Sequence, residues 1–141
     1  MEPLDADSLP AGSMVLVDTA PINYTLEGHR TLAARFAPLF QRHADGDLAL
    51  AVTTVTIAEV LAGPLEAGEE ALAKRYRAAL ESWLVVDFTS EIAETAARLR
   101  GQSGLKLPDA IQLASALAIN ADALVTHARD FERVKGIRVL T

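Results

Sequence analysis

The chain has 141 residues, of which 50% are hydrophobic and 23% are charged. This length predicts one domain, and the composition argues against a largely disordered chain because enough apolar residues are present to form a core. The absence of cysteine excludes disulfide bonds, thiolate metal sites and cysteine nucleophiles. The net charge of −6 is not the basic balance typical of a nucleic-acid binder, although carboxylates gathered round a metal ion do not count as a repulsive surface.

The N-terminal segment differs in composition from the rest of the chain. Residues 1–13 are acidic, contain two prolines and a glycine, and show no hydrophobic periodicity. We therefore predict a flexible acidic tail over residues 1–13 and a single domain over residues 14–141, which leaves open whether Met14 is the native start. The segment lacks the pattern of a secretory signal, and no apolar run approaches the roughly 18 residues that span a membrane. We expect a cytoplasmic protein with no membrane association.

Short apolar runs bounded by turn residues are typical of buried strands. Five such runs occur in the chain: Met14–Val17, Leu48–Thr53, Leu84–Phe88, Ala123–Thr126 and Ile137–Leu140. Helical patterns lie between them. Strands that alternate with helices predict an α/β fold in which helices cover both faces of a parallel sheet.

Apolar periodicity and capping residues predict the helices between the strands. A stripe over residues 32–43 predicts one helix, which Pro38 should kink or divide. A second stripe covers residues 72–83, and the helix that follows the third strand should end at Gly101. Pro108 suits the first turn of a further helix, which is apolar nearly all round and is therefore expected to be buried.

Several carboxylates stand in apolar sequence, where burial without a partner costs several kcal/mol. Asp18 ends the first predicted strand, Glu59 lies among apolar helix residues, and Asp109 opens the helix after Pro108. Each has an ordinary explanation when taken alone. Asp18 suits a helix cap, Asp109 suits the positive end of a helix dipole, and Glu59 suits a solvated helix face. Asp130 likewise suits the cap of a last helix.

The joint position of these acids favours a functional site. In an open parallel sheet, ligands bind beyond the carboxyl ends of the strands. Asp18 and Asp130 follow strand ends, and Glu59 and Asp109 lie near the starts of helices on that side. Converging carboxylates repel one another unless a cation is present, and hard oxygen ligands select Mg²⁺ or Mn²⁺. The sequence therefore predicts a divalent metal site formed by these four acids.

The segments that carry these acids resemble the motifs of PIN-domain ribonucleases, above all the VapC-like toxins of type II toxin–antitoxin systems. Four segments carry the resemblance: Leu16–Thr19, Thr54–Val60, Leu107–Ala116 and Thr126–Phe131. Each motif alone is weak, but four in the right order and context are fairly specific. The resemblance implies a three-layer α/β/α sandwich with a central, mainly parallel sheet. It also implies a Mg²⁺- or Mn²⁺-dependent endoribonuclease that is usually a homodimer and is inhibited by a cognate antitoxin protein.

The correspondence with the family is uneven. Three positions match the acids that the family keeps best: Asp18, Glu59 and Asp109. In the fourth region many members have Thr-Asn-Asp-x-Asp-Phe, whereas this chain has His127 and Ala128 in place of the Asn and the first Asp, so that only Asp130 remains. Whether one or two metal ions bind therefore stays open.

Further polar residues are expected beside the acids. Thr19 and Thr126 match small polar positions of the family and are expected to hydrogen-bond a carboxylate or a phosphate. Asn23 lies one helical turn beyond Asp18 and is expected to face the same pocket. Of the three histidines, His127 is the one expected to line the site.

These observations predict hydrolysis of RNA phosphodiester bonds by a metal-activated water. The main alternative is a PIN-like domain with weak or no nuclease activity that binds RNA or protein, and Ala128 motivates it. An antitoxin is expected to reach the carboxylates with a basic side chain and to dock on a stripe containing Leu32, Phe36 and Phe40, although that stripe also suits a core or a homodimer surface. A phosphoacceptor receiver or an aspartyl-phosphate phosphatase is disfavoured because Ala20 stands where a second acid would be needed.

Overall fold

A computed structural model describes residues 2–141, apart from the side chains of residues 132 and 133. Its sheet has five parallel strands in the order β3-β2-β1-β4-β5. In chain order the strands are β1 (Met14–Val17), β2 (Ala49–Thr53), β3 (Leu84–Val86), β4 (Ala123–Val125) and β5 (Arg138–Leu140). All five lie within the predicted apolar runs. The three inner strands are almost continuously apolar because both of their faces are buried, whereas the edge strands β3 and β5 are partly exposed.

Six helices flank the sheet and complete three layers, which confirms the predicted α/β/α class. They are α1 (Thr19–Leu26), α2 (Leu32–Ala44), α3 (Thr54–Glu66), α4 (Glu70–Glu81), α5 (Ser90–Ser103) and α6 (Leu107–Ala118). Short 3₁₀ turns occur at Ala6–Ser8 and Arg129–Arg133. No helix in residues 2–141 is both long and apolar enough to cross a bilayer.

The two cores lie on opposite faces of the central strand. Val15 and Val17 of β1 pack against α1 to α4, and Leu16 between them packs against α5 and α6. This alternation follows from the two-residue period of a strand. Strand order reverses between β1 and its neighbour β4, so the carboxyl ends of these two strands form the position where a ligand is expected in such a sheet.

The N-terminal segment differs from the predicted flexible tail, because its apolar side chains pack into the domain. Leu4 and Leu9 are buried in the core that includes α2. Arg42 of α2 donates hydrogen bonds to the carbonyl oxygens of Ala6 and Leu9 at 2.6 and 2.7 Å, and it pairs with Asp47 at 2.5 Å. The contacts are irregular in spacing, which is why no periodicity indicated them.

Helix α2 continues through Pro38 without dividing. Proline removes one helical hydrogen bond, at a cost of about 3 kcal/mol. Phe36 and Leu39 on either side are fully buried, and burial of each contributes about 1.5–3 kcal/mol, which offsets that cost. Of the stripe proposed as a docking face, Phe36 therefore belongs to the core, whereas Leu32 and Phe40 are half-buried.

Helix α5 extends beyond Gly101, where the sequence predicted its end. It runs to Ser103 and is capped by Gly104, whose φ of 72° lies in the left-handed region. Glycine is favoured in that conformation because it has no Cβ. The helix therefore ends two residues later in the sequence than predicted, and Leu105 in the connection to α6 is buried.

Candidate active site

Asp18, the first acid of the site, lies at the end of β1. It caps α1 through Oδ1, which accepts a hydrogen bond from the Thr19 N–H at 2.7 Å. Its Oδ2 accepts a hydrogen bond from the Thr126 hydroxyl at 2.7 Å, and Thr126 Oγ1 in turn accepts one from the Ala128 N–H at 3.0 Å. The carboxylate is thus both a helix cap and a fixed acceptor at the junction of β1 and β4.

Glu59 reaches the same place from α3. The side chain is exposed, and its Oε1 accepts a hydrogen bond from the Thr19 hydroxyl at 3.0 Å. The Thr19 hydroxyl also contacts the hydroxyl of Thr56 at 2.8 Å, and Thr56 is held by Thr53, the cap of α3. Thr19 therefore links the starts of α1 and α3 and fixes the position of Glu59.

Asp109 lies in the first turn of α6, directly after Pro108, and is half-buried. Burial raises the pKa of Asp109 above the usual range of a carboxyl group, and the negative charges of Asp18, Asp130 and Glu59 raise it further. The nearby positive charge of Lys106 only partly opposes this rise. The other three predicted acids are consequently close enough to act on Asp109.

The acids surround a cleft of about 390 Å³. Of the residues predicted for the site, six line it: Asp18, Thr19, Asn23, Glu59, Asp109 and His127. Thr126 is buried beneath Asp18, and Asp130 is exposed and does not line the cleft. Ala128 lines the cleft beside His127. A larger groove of about 460 Å³ between α3 and α4 lacks converging carboxylates, so its size does not identify a reaction centre.

Three residues of the site were not predicted from the sequence. Tyr24 donates or accepts a hydrogen bond at 2.9 Å with His127 Nδ1, and both side chains line the cleft. Thr56 forms the hydroxyl contact described above. Gln112 donates from Nε2 to Thr56 Oγ1 at 2.8 Å. The sequence signal for Gln112 was a polar residue in an otherwise apolar, buried helix.

The donor set suits a hard cation that keeps part of its water shell. The acids that line the cleft offer only oxygen, which is the ligand type of Mg²⁺ and Mn²⁺. Within the described part of the chain, no group of three or more His, Asp or Glu side chains has the geometry to hold a metal ion directly. Mg²⁺ is commonly bound through one or two carboxylates and several waters, so the cleft fits such an ion.

Asp109→Asn is expected to stabilise the metal-free protein near neutral pH. Because folding raises the pKa of Asp109, protonation of this group stabilises the folded state. That contribution is fully present below the unfolded pKa of about 3.9 and is lost as pH rises through the folded pKa. The asparagine side chain of the variant does not ionise and so avoids this loss. We therefore expect the variant to melt about 1–3 °C higher than the natural protein at pH 7. The effect is small because Asp109 is partly exposed and solvent screens the charges.

Thermal unfolding in EDTA, from about pH 4 to pH 7, measures this difference. The two proteins should have similar melting temperatures at the acidic end and should separate as pH rises. Equal melting temperatures across the whole range would show that Asp109 is not under strain from its neighbours.

Comparison with known proteins identifies the family. The family model for the PIN domain matches residues 15–137. A chain in a structure described as a toxin–antitoxin complex from Klebsiella pneumoniae is 30% identical in sequence, with a TM-score of 0.69. The alignment covers 90% of this chain and 96% of that chain.

More distant structures share the fold. VapBC2 from Rickettsia felis, bound to a DNA fragment from its promoter, is 18% identical over 89% of this chain and 96% of the other, with a TM-score of 0.68. VapC20 from Mycobacterium tuberculosis is described as a Sarcin-Ricin loop cleaving toxin. It is 14% identical over 90% of this chain and 99% of the other, with a TM-score of 0.67. A search of curated proteins gave no match. Because the family model covers most of the sequence and the Klebsiella chain aligns over nearly its full length, this chain belongs to the PIN domain family.

Proposed function

We propose that this chain is a Mg²⁺- or Mn²⁺-dependent endoribonuclease that hydrolyses RNA phosphodiester bonds. The observation that carries the proposal is the convergence of Asp18, Glu59 and Asp109 in one cleft, where the strand order reverses. Burial, together with the negative charges of Asp18, Asp130 and Glu59, raises the pKa of Asp109 there. Such an arrangement is unfavourable for folding alone and becomes favourable when a cation binds.

The chain's own residues would fix the carboxylates before any ion arrives. Thr126 and the Thr19 N–H hold the two oxygens of Asp18, and the Thr19 hydroxyl holds Glu59. Asp18, Glu59 and Asp109 are the proposed ligands, with Asp130 contributing charge from outside the cleft wall. When bound, the ion would stabilise negative charge on the phosphate and lower the pKa of an attacking water. Because these carboxylates are already held in place, they would not need to rearrange when the ion binds.

We further propose that the protein is the toxin of a toxin–antitoxin pair, that it forms a homodimer, and that a cognate antitoxin inhibits it. The similarity to a chain of the Klebsiella toxin–antitoxin complex, at 30% identity over nearly the whole length, supports the toxin–antitoxin role. An acidic cleft attracts a basic side chain, so an antitoxin arginine or lysine that enters the cleft would neutralise the carboxylates and compete with the cation.

A second candidate function is RNA or protein binding with weak or no cleavage. The observation that favours it is Ala128, which lines the cleft where many PIN-domain ribonucleases have an acid. The one acid remaining in that segment, Asp130, is exposed and outside the cleft wall. A centre that lacks a second well-placed metal position would bind one ion and stabilise the leaving oxygen less effectively.

Purified, partner-free protein tests the two candidates. We expect cleavage of some member of a mixture of structured and single-stranded RNAs in Mg²⁺ or Mn²⁺, and none in EDTA. Mn²⁺ binding without cleavage of any RNA would favour the binding module. Failure to bind Mn²⁺ and failure to cleave would overturn the proposed function. Co-expression with the neighbouring gene tests the toxin role, since growth should be impaired only when the neighbour is absent.

A further inference from the structure

Gln112 has a feature that the proposed reaction does not yet explain. It lies on α6 one turn after Asp109, is only 2% exposed, and lines the carboxylate cleft. Its Nε2 is paired, but its Oε1 has no hydrogen-bond partner, and it is the one such buried side-chain atom in the part of the chain that the structure describes. A buried carbonyl without a donor is unfavourable and is uncommon in folded proteins.

The paired side of Gln112 begins a hydrogen-bond chain with a fixed direction. Thr56 Oγ1 accepts from Gln112 Nε2 and from the Thr53 hydroxyl, so its own proton is available only for Thr19. The Thr19 hydroxyl then donates to Glu59 Oε1 at 3.0 Å. If the Gln112 amide were reversed, Thr56 would donate to Gln112, Thr19 would donate to Thr56, and Glu59 would lose its donor. The observed orientation therefore serves Glu59 and leaves Oε1 unpaired.

We propose that Gln112 is a positioning residue of the carboxylate centre, which orients Glu59 through Thr56 and Thr19 and offers Oε1 to a water in the hydration shell of a bound divalent cation. The inference rests on the cation of the proposed function. Mg²⁺ keeps several waters when few protein oxygens bind it, and those waters need acceptors. Asp109 precedes Gln112 by one helical turn on the same face, and both residues line the cleft in which Asp109 would hold the ion.

Gln112→Met tests this role because methionine has a similar shape but neither donates nor accepts strongly. The substitution removes the unpaired oxygen together with the contact to Thr56. We expect an unchanged or slightly higher melting temperature in EDTA, and about tenfold weaker Mn²⁺ binding by calorimetry, the usual loss for a residue that supports metal ligands. Ser115→Ala is the matched control, since Ser115 is buried on the same helix and its hydroxyl is satisfied by the Ile111 carbonyl at 2.7 Å.

Thr19→Val interrupts the same series of hydrogen bonds at a half-buried position. This variant remains informative if Gln112→Met does not fold. It should also weaken Mn²⁺ binding, and the double variant should lose less affinity than the product of the single losses, because both break one path to Glu59. Multiplicative losses would overturn the path through Thr19. Wild-type affinity in Gln112→Met would overturn the inference while leaving the proposed function intact. A wild-type protein that binds no Mn²⁺ would overturn both.

Discussion

Asp109→Asn is expected to reduce RNA cleavage by at least about 10³-fold. A metal ion contributes several kcal/mol of charge stabilisation to a phosphoryl transition state, and about 4 kcal/mol corresponds to three powers of ten in rate. The pKa of Asp109 is raised by burial and by the charges of Asp18, Asp130 and Glu59, so its carboxylate lies where negative charge converges. Replacing it removes the negative charge on the α6 side of the cleft. Single-turnover cleavage in Mg²⁺ and in Mn²⁺ measures the loss.

Asp87→Asn is the matched control for this prediction. Asp87 also follows the carboxyl end of a strand, β3, but it is exposed and does not line the cleft. Its replacement should leave the cleavage rate within about twofold, because an exposed charge away from the reaction centre is screened. Similar losses in both variants would indicate that net acidity, rather than a defined centre, supports cleavage.

The stability effect of Asp109→Asn makes a loss of activity easier to interpret. Most inactive variants have to be shown to be folded, since most substitutions destabilise. Here the metal-free variant is expected to be more stable than the natural chain at pH 7, for the electrostatic reason given above. A variant that melts later but no longer cleaves would separate catalytic function from folding, and full cleavage by it would contradict the assigned centre.

The sequence predicted the strands well because their signal is local. A strand buried on both faces consists of a short apolar run, and β1 and β4 coincide with such runs to within one residue. The predicted end of α5 was wrong. Gly101 and Gly104 lie only three residues apart, and only the folded backbone shows which of them adopts a positive φ. The packing of Leu4 and Leu9 into the core was not predicted, since their contacts follow no period in the sequence.

The site was predictable only where topology alone determines position. Asp18, at the end of β1, had to lie at the carboxyl edge of the sheet, and a helix that follows a parallel strand starts on the same edge. The supporting hydrogen bonds are different in kind. Gln112 meets Thr56 across 56 positions of sequence, and Tyr24 meets His127 across 103. No spacing rule connects residues so far apart, so these contacts emerge only from the folded chain. Thr19 and Thr126, by contrast, were expected from the family resemblance, and both donate to a carboxylate.

Phe36→Ala is expected to lower the free energy of unfolding by about 3–5 kcal/mol, the range for removing a fully buried phenylalanine. The ring is 0% exposed and lies in the core between α2 and the sheet. It stacks on Tyr24 with ring centres 6.2 Å apart and meets His127 edge-on at 5.9 Å. Its loss should therefore also loosen the contact between Tyr24 and His127 on the wall of the cleft. Urea unfolding gives the free energy, and chemical shifts of His127 report on the cleft.

The same variant distinguishes a core residue from a docking residue on α2. If Phe36 served an antitoxin instead of the core, its truncation would weaken complex formation and leave the unfolding free energy of the isolated protein within about 0.5 kcal/mol. Leu65→Ala provides the comparison, because Leu65 is a large apolar residue that is 45% exposed and should show that small effect. A large loss for Phe36 and a small one for Leu65 would confirm that Phe36 supports the site from within the fold, so that an antitoxin would not dock on this residue.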